Sequence, residues 1–94
     1  VSGRNEAIGD AVEATAALLL ASAARDELTV SGDLRVNEKD AAHLLGYSAA
    51  NLKALRQEGN GPVSYALGMN GGRISYRLRD LAAWIEMARE DFHR

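Results

Sequence analysis

The period of the hydrophobic positions changes along the chain, and each change marks an element. From Asn5 to about Leu28, Ile8, Val12, Leu19 and Ala23 share one stripe, with Ala11, Thr15 and Leu18 beside it. That spacing predicts one alanine-rich helix, in which Gly9 weakens only the first turn. Ser31-Gly32-Asp33 reads as a turn, and Leu34-Arg35-Val36 as a short extended lead-in. The stretch VNEKDAAHLLGYSAANLKALRQEG, residues 36–59, then carries two short amphipathic patterns joined at Gly46-Tyr47-Ser48. Ala41, Leu44 and Leu45 share a face in the first, and Leu52 and Leu55 in the second. Asn37, with Asp40 three residues on, suits the cap of the first helix, and Ser48 the cap of the second. Two such helices joined by a three-residue turn containing glycine are the signature of a helix-turn-helix, which presents its second helix to a DNA groove.

The period then drops to two. Val63, Tyr65, Leu67 and Met69 alternate with small residues, Asn70-Gly71-Gly72 supplies a turn, and Ile74, Tyr76 and Leu78 alternate with Arg73, Ser75, Arg77 and Arg79. Alternating runs around a glycine-rich turn predict a β-hairpin. From about Asp80 the helical period returns, with Leu81, Trp84, Ile85, Ala88 and Phe92 on one face. Asp80 in the first turn and Arg94 at the end suit the helix dipole. Trp84 is the expected centre of the core, between the helix pair and the hairpin. The fold class expected is mainly α with a small β-hairpin: a winged helix-turn-helix over residues 34–94, preceded by an alanine-rich helical extension over residues 1–33.

The words of the second half are familiar. AA-x-LLG-x-S at Ala41 to Ser48, L-x-x-LR at Leu52 to Arg56, GPVSYALG at Gly61 to Gly68, RISYR at Arg73 to Arg77 and DLAAWI at Asp80 to Ile85 occur in that order. Together they resemble the MerR-like winged-helix domains of small phage and mobile-element proteins: excisionases, AlpA-type regulators and the DNA-binding ends of some small terminase subunits. The resemblance spans roughly the last sixty residues. It implies a DNA-binding regulator, an excisionase-like directionality factor or a transcriptional regulator, with double-stranded DNA as its partner. The second helix would enter the major groove and the hairpin wing would hold the flanking backbone or minor groove.

Residue by residue, that role falls on few side chains. Each helical residue advances the wheel by about 100°. If Leu52 and Leu55 face the core, Ala50, Lys53, Ala54 and Gln57 face outward, with Asn51 and Arg56 on the shoulders. Gln57 can pair bidentately with adenine, and Lys53 can donate to a guanine edge or a phosphate. Ala50 and Ala54 stand where the resembling excisionases carry longer polar or basic side chains. Ser48 can cap its helix and set a backbone N–H against a phosphate. On the wing, Arg73 and Arg77 fall opposite Ile74 and Tyr76, where they meet phosphates or the minor groove. Arg79 can instead pair with a helix acid. The candidate DNA-binding residues are therefore Ser48, Asn51, Lys53, Arg56, Gln57, Arg73 and Arg77.

Charge qualifies this picture. The 94 residues carry a net charge of −2. Residues 1–33 hold two basic and six acidic residues, and residues 34–94 nine basic and seven acidic. The extension is thus acidic and the remainder mildly basic, which points to few phosphate contacts and low non-specific affinity. Alanines and an acidic extension also suit a second reading: a protein–protein interaction module, adaptor or antitoxin-like, on the same scaffold with little base readout. In either case the apolar extension has two readings, an extra core element packed on the winged helix or a face that pairs two copies into a homodimer, and the homodimer is the one expected.

Other chemistries find no support. There is no cysteine, and His43 and His93 lack ligand spacing, so no metal site is expected. No Gly-Lys-Ser/Thr follows the glycines, and no serine has a suggested histidine–acid partner. Neither an enzyme nor a cofactor nor a small-molecule substrate is expected. The apolar run Ala14 to Ala24 follows Glu6, Asp10 and Glu13, the wrong charges for a signal peptide, and reads as too short and interrupted to span a bilayer. A cytoplasmic protein is expected.

Overall fold

The computed structural model describes residues 3–68 and 72–90. Four helices and one small antiparallel sheet make up the fold, in the order α1 (Gly3–Arg25), β1 (Arg35–Asn37), α2 (Glu38–Leu45), α3 (Ala49–Glu58), β2 (Tyr65–Leu67), β3 (Arg73–Arg77) and α4 (Leu78–Met87). The sheet order is β1-β3-β2.

The extended lead-in is a strand in its own right. β1 pairs with β3 in the register Arg35↔Arg77, Val36↔Tyr76 and Asn37↔Ser75, and β2 pairs with β3 as Tyr65↔Ser75, Ala66↔Ile74 and Leu67↔Arg73. The pleat therefore sends Val36, Ile74 and Tyr76 to one face and Arg35, Arg73, Ser75 and Arg77 to the other. β2 is shorter than the alternating run suggested, because backbone pairing covers only Tyr65–Leu67. The hairpin tip, Met69 to Gly71, lies outside the described residues. Gly72 sits at φ 50°, where an added Cβ would collide with the carbonyl of Leu67, so no side chain fits there.

The caps hold as expected. Asn37 Oδ1 accepts the N–H of Asp40 at 2.7 Å, and Ser48 Oγ accepts the N–H of Asn51 at 3.0 Å. Each satisfies one otherwise unpartnered donor, worth about 1 kcal/mol. Gly46, at φ 78°, closes α2 in the left-handed region that glycine enters without penalty. α1 stops at Arg25, three residues before the expected end. Glu27 adopts a left-handed φ of 56° and the N–H of Leu28 returns to the carbonyl of Ala23 at 2.9 Å, which terminates the helix.

One core serves the whole fold. Tyr76, Leu52, Leu78, Leu81 and Val36 are its largest fully buried side chains, and Val12 and Leu19 of α1 join the same cluster. α1 lies against α4, where Thr15 Oγ1 donates to Glu86 Oε2 at 2.7 Å and Arg79 Nε donates to Glu13 Oε1 at 2.6 Å. The extension thus shares the interior of the rest. Its other side stays open, with Leu18 67% and Leu20 40% exposed. Ala7–Arg25 is, by length and composition alone, apolar enough to cross a membrane, contrary to the reading of the shorter run. Alanines carry that apolarity all round the helix, although its Val12–Leu19–Ala23 stripe is buried within the fold.

Trp84 does not occupy the centre. It is half-buried, its Nε1 donates to the carbonyl of Asn60 at 3.3 Å, and its ring meets Tyr47 edge-on at 5.9 Å. Tyr76 takes the central place. β3 is the middle strand, so a side chain on its inner face is covered from both sides, whereas Trp84 lies on a helix whose flank remains open. α4 ends at Met87, and Phe92 lies outside the described residues.

Candidate nucleic-acid interface

The second helix of the pair is held from within and open outward. Leu52 of α3 is fully buried and Leu55 half-buried, while Ala49, Ala50, Asn51, Lys53, Ala54, Gln57 and Glu58 are exposed. Ser48 stands exposed at the helix start with its hydroxyl committed to the Asn51 amide. Four of the seven candidate residues, Ser48, Asn51, Lys53 and Gln57, therefore lie on the open side of one capped helix.

Arg56 does not join them. Its guanidinium turns back onto Glu38, at the start of α2, with Nε to Oε2 at 2.7 Å and Nη2 to Oε1 at 3.2 Å. The Tyr76 hydroxyl donates to the same Oε2 at 2.7 Å. This cluster ties α2, α3 and β3 together at one carboxylate. Burial pushes the Glu38 carboxyl up, but hydrogen bonds from Arg56 and Tyr76 outweigh it and hold the group below its ordinary value. The same burial, and then the neighbouring carboxylate, push the Tyr76 phenol up. Arg56 thus arranges the helices, and its charge is matched inside the protein.

Arg73 and Arg77 of the hairpin lie on the outer face of the sheet. Arg73 is exposed and has no ion-pair partner among the described residues. Arg77 lies over the Tyr65 ring, 5.1 Å from its centroid, with Nη2 3.5 Å from Asp33. Arg79, expected to pair with a helix acid, does so with Glu13.

The strand register adds a residue that sequence reasoning missed. Arg35 is directly opposite Arg77, and its Nη1 donates to Ser75 Oγ at 2.9 Å. Arg35, Asn37, Arg73 and Ser75 line one open hollow of about 300 Å3 on this face. The only sequence signal was Val36 between two polar residues, which is too short for a period-two pattern. Outside this face, His43 is exposed on the flank of α2, with Nε2 2.9 Å from Asp26 Oδ2. Among the described residues no group of three His, Asp or Glu side chains could hold a metal ion.

Chemically, the arrangement offers an amide, an ammonium and a second amide along one helix, and guanidinium groups across one sheet face. Groups of these kinds can donate to base edges and phosphate oxygens. Comparison of the chain with family models, curated proteins and solved structures returned no match.

Proposed function

We propose that the chain is a DNA-binding regulator of phage or mobile-element type, built as a MerR-like winged helix and acting in the cytoplasm without catalysis or cofactor. α3 enters the major groove, with Lys53, Asn51 and Gln57 toward base edges and phosphates and Ser48 at the helix start. The hairpin β2–β3 grips the flanking backbone or minor groove through Arg73 and Arg77. The observation that carries this reading is the capped helix pair whose second member buries Leu52 and leaves its polar side open, in a fold whose hairpin carries Arg73 and Arg77. Arg56 contributes by fixing α3 against α2. With Ala49, Ala50 and Ala54 exposed on α3, one copy binds weakly, and a homodimer through α1 raises apparent affinity without new contacts.

Fluorescence anisotropy with duplex DNA across a salt series tests the reading. Lys53→Ala/Arg73→Ala should weaken all sequences about equally and shallow the salt dependence by roughly two units. Unchanged affinity refutes it. Genome-wide DNA co-precipitation in the native host would then report the target.

A second reading, a protein-interaction module of adaptor or antitoxin-like type, draws support from one observation. Arg56 is matched internally while Tyr47, Val63 and Met87 are exposed apolar side chains. Absence of any salt-dependent DNA binding by the parent chain favours that module.

A further inference from the structure

Asp33 sits where an anion from outside the protein would be expected. Its Oδ2 receives Arg35 Nε at 2.8 Å, its Oδ1 receives the same nitrogen at 2.9 Å and the Ser31 hydroxyl at 2.7 Å, and Arg77 Nη2 stands 3.5 Å away. Arg35 and Arg77 are directly opposed across β1 and β3. Like charges in that position repel, so the pair is out of place without an anion between them. The carboxylate supplies one, and the Arg35 and Ser31 hydrogen bonds hold it well below the usual carboxylate range.

The segment that delivers Asp33 is strained. Leu34, the next residue, has a φ of 62°, in the left-handed region that a bulky side chain rarely enters. It is held there by three backbone bonds of 2.9 Å: Leu34 N–H to Ser31 carbonyl, Ser31 N–H to Arg35 carbonyl, and Leu78 N–H to Leu34 carbonyl. Asp33 itself is open to water, with 45% of its side chain exposed. An acid placed by a strained turn into a fork of two arginines and a hydroxyl, at the surface, has the donor set of a phosphate site.

We propose that Arg35, Arg77 and Ser31 form a phosphate-binding site on the outer sheet face, in which Asp33 is an internal stand-in that a phosphodiester group displaces. The ligand class is the phosphate of a nucleic acid backbone. On displacement the phosphate oxygens accept from Arg35 Nε and Nη, Arg77 Nη and the Ser31 hydroxyl. Arg73, lining the same hollow as Arg35, receives the next phosphate. No bond is made or broken; one anion replaces another. Asp33 thereby sets the affinity, because each contact must first displace it. The inference rests on the DNA-binding reading for its natural ligand, while the site itself is testable with a free anion.

The test compares the full chain with its Asp33→Asn variant. Asparagine keeps the shape and one acceptor oxygen for the Ser31 hydroxyl and Arg35 Nε, and removes the charge and the second acceptor. Anisotropy with a 20-base-pair duplex, across salt, should show the variant binding at least about fivefold more tightly, with a salt dependence steeper by up to about two units as two guanidiniums become available. Arg35→Gln in the Asp33→Asn background should return about one of those units. Inorganic pyrophosphate, added to each protein, should shift the Arg35 Nε–H resonance further in the variant. If the duplex binds both proteins with the same affinity and slope, the site is refuted and DNA binding stands. If neither protein binds duplex but pyrophosphate shifts Arg35 in Asp33→Asn alone, the anion site stands and the DNA reading falls. Silence with both probes refutes both. A thermal melt of each variant confirms that the fold persists.

Discussion

Removing one oxygen from the centre of the core tests how the helix pair is held. Tyr76→Phe keeps the ring in its fully buried place and deletes only the hydroxyl that donates to Glu38 Oε2 at 2.7 Å. A hydrogen bond to a charged partner contributes about 1.5–3 kcal/mol. The Glu38 side chain is 18% exposed, so water can partly replace the lost donor, and Arg56 remains bound to the carboxylate. The lower half of that range, about 1.5–2 kcal/mol, is therefore expected. For a chain of this size each kcal/mol moves the melting temperature by about 4–8 °C, so Tyr76→Phe should melt roughly 6–16 °C below the parent. The assay is thermal denaturation by circular dichroism at neutral pH, repeated for Glu38→Gln and for the double variant. Because both single changes strike the same contact, the double variant should be less destabilised than their sum by about 1 kcal/mol. The pH dependence has a definite sign. The folded-state pKa of Glu38 is depressed below its ordinary value of 4.5, so its contribution is complete above that value and is lost as pH falls through the lower folded one. Glu38→Gln should flatten that part of the acid limb. A Tyr76→Phe melt within about 2 °C of the parent, or additive single variants, would refute the carboxylate as the junction of α2, α3 and β3.

Other expectations follow from the same packing. Leu52→Ala, at a fully buried site, should cost about 2–5 kcal/mol and leave the chain largely unfolded at 37 °C, read by the same melt. Trp84→Ala should cost less, about 2–3 kcal/mol, because the indole is half-buried; a loss of cooperativity would return it to the core. Ser48→Ala and Asn37→Ala should each lose about 1 kcal/mol of stability through the lost cap, read by the same melt. A chain shortened to begin at Leu34 should fail to show a cooperative transition, since it strips Val12 and Leu19 from the common core; a stable melt would make α1 an appendage. Sedimentation equilibrium of the full chain should show dimer formation through the open side of α1, and a monomer throughout would refute that pairing.

Much of this arrangement was legible in the sequence because local chemistry dictated it. Asn37 and Ser48 cap the helices their side chains suit, Gly46 takes the left-handed turn between them, and Arg73 and Arg77 fall on the outer face that alternation assigns. What was not legible depends on residues distant in the chain. β1 has only three residues, too few to show a period, and becomes a strand because β3 is there to pair with it. Arg56 reads as a shoulder of the second helix, but Glu38, eighteen positions earlier, claims it. Trp84 falls on the apolar face of the last helix and so reads as the centre, but position on the middle strand gives that place to Tyr76. Along α1 the stripe Val12, Leu19 and Ala23 does read as the buried side, but its partner is not local: Thr15 and Glu86, which join α1 to α4, stand 71 positions apart.

The strands of this protein leave no slack. β1 ends at Asn37 and α2 begins at Glu38; β3 ends at Arg77 and α4 begins at Leu78. One residue inserted at either junction would rotate the following helix by about 100° and swing Ala41 or Leu81 out of the interior. Nothing lies between strand and helix to absorb the error. Changes in chain length are consequently better absorbed where no strand abuts a helix, as in the turn after α1 and the segment from Gly59 to Ser64. Length changes there would leave the angle between helix pair and sheet fixed, so insertions in the connections should be tolerated where insertions at the junctions are not.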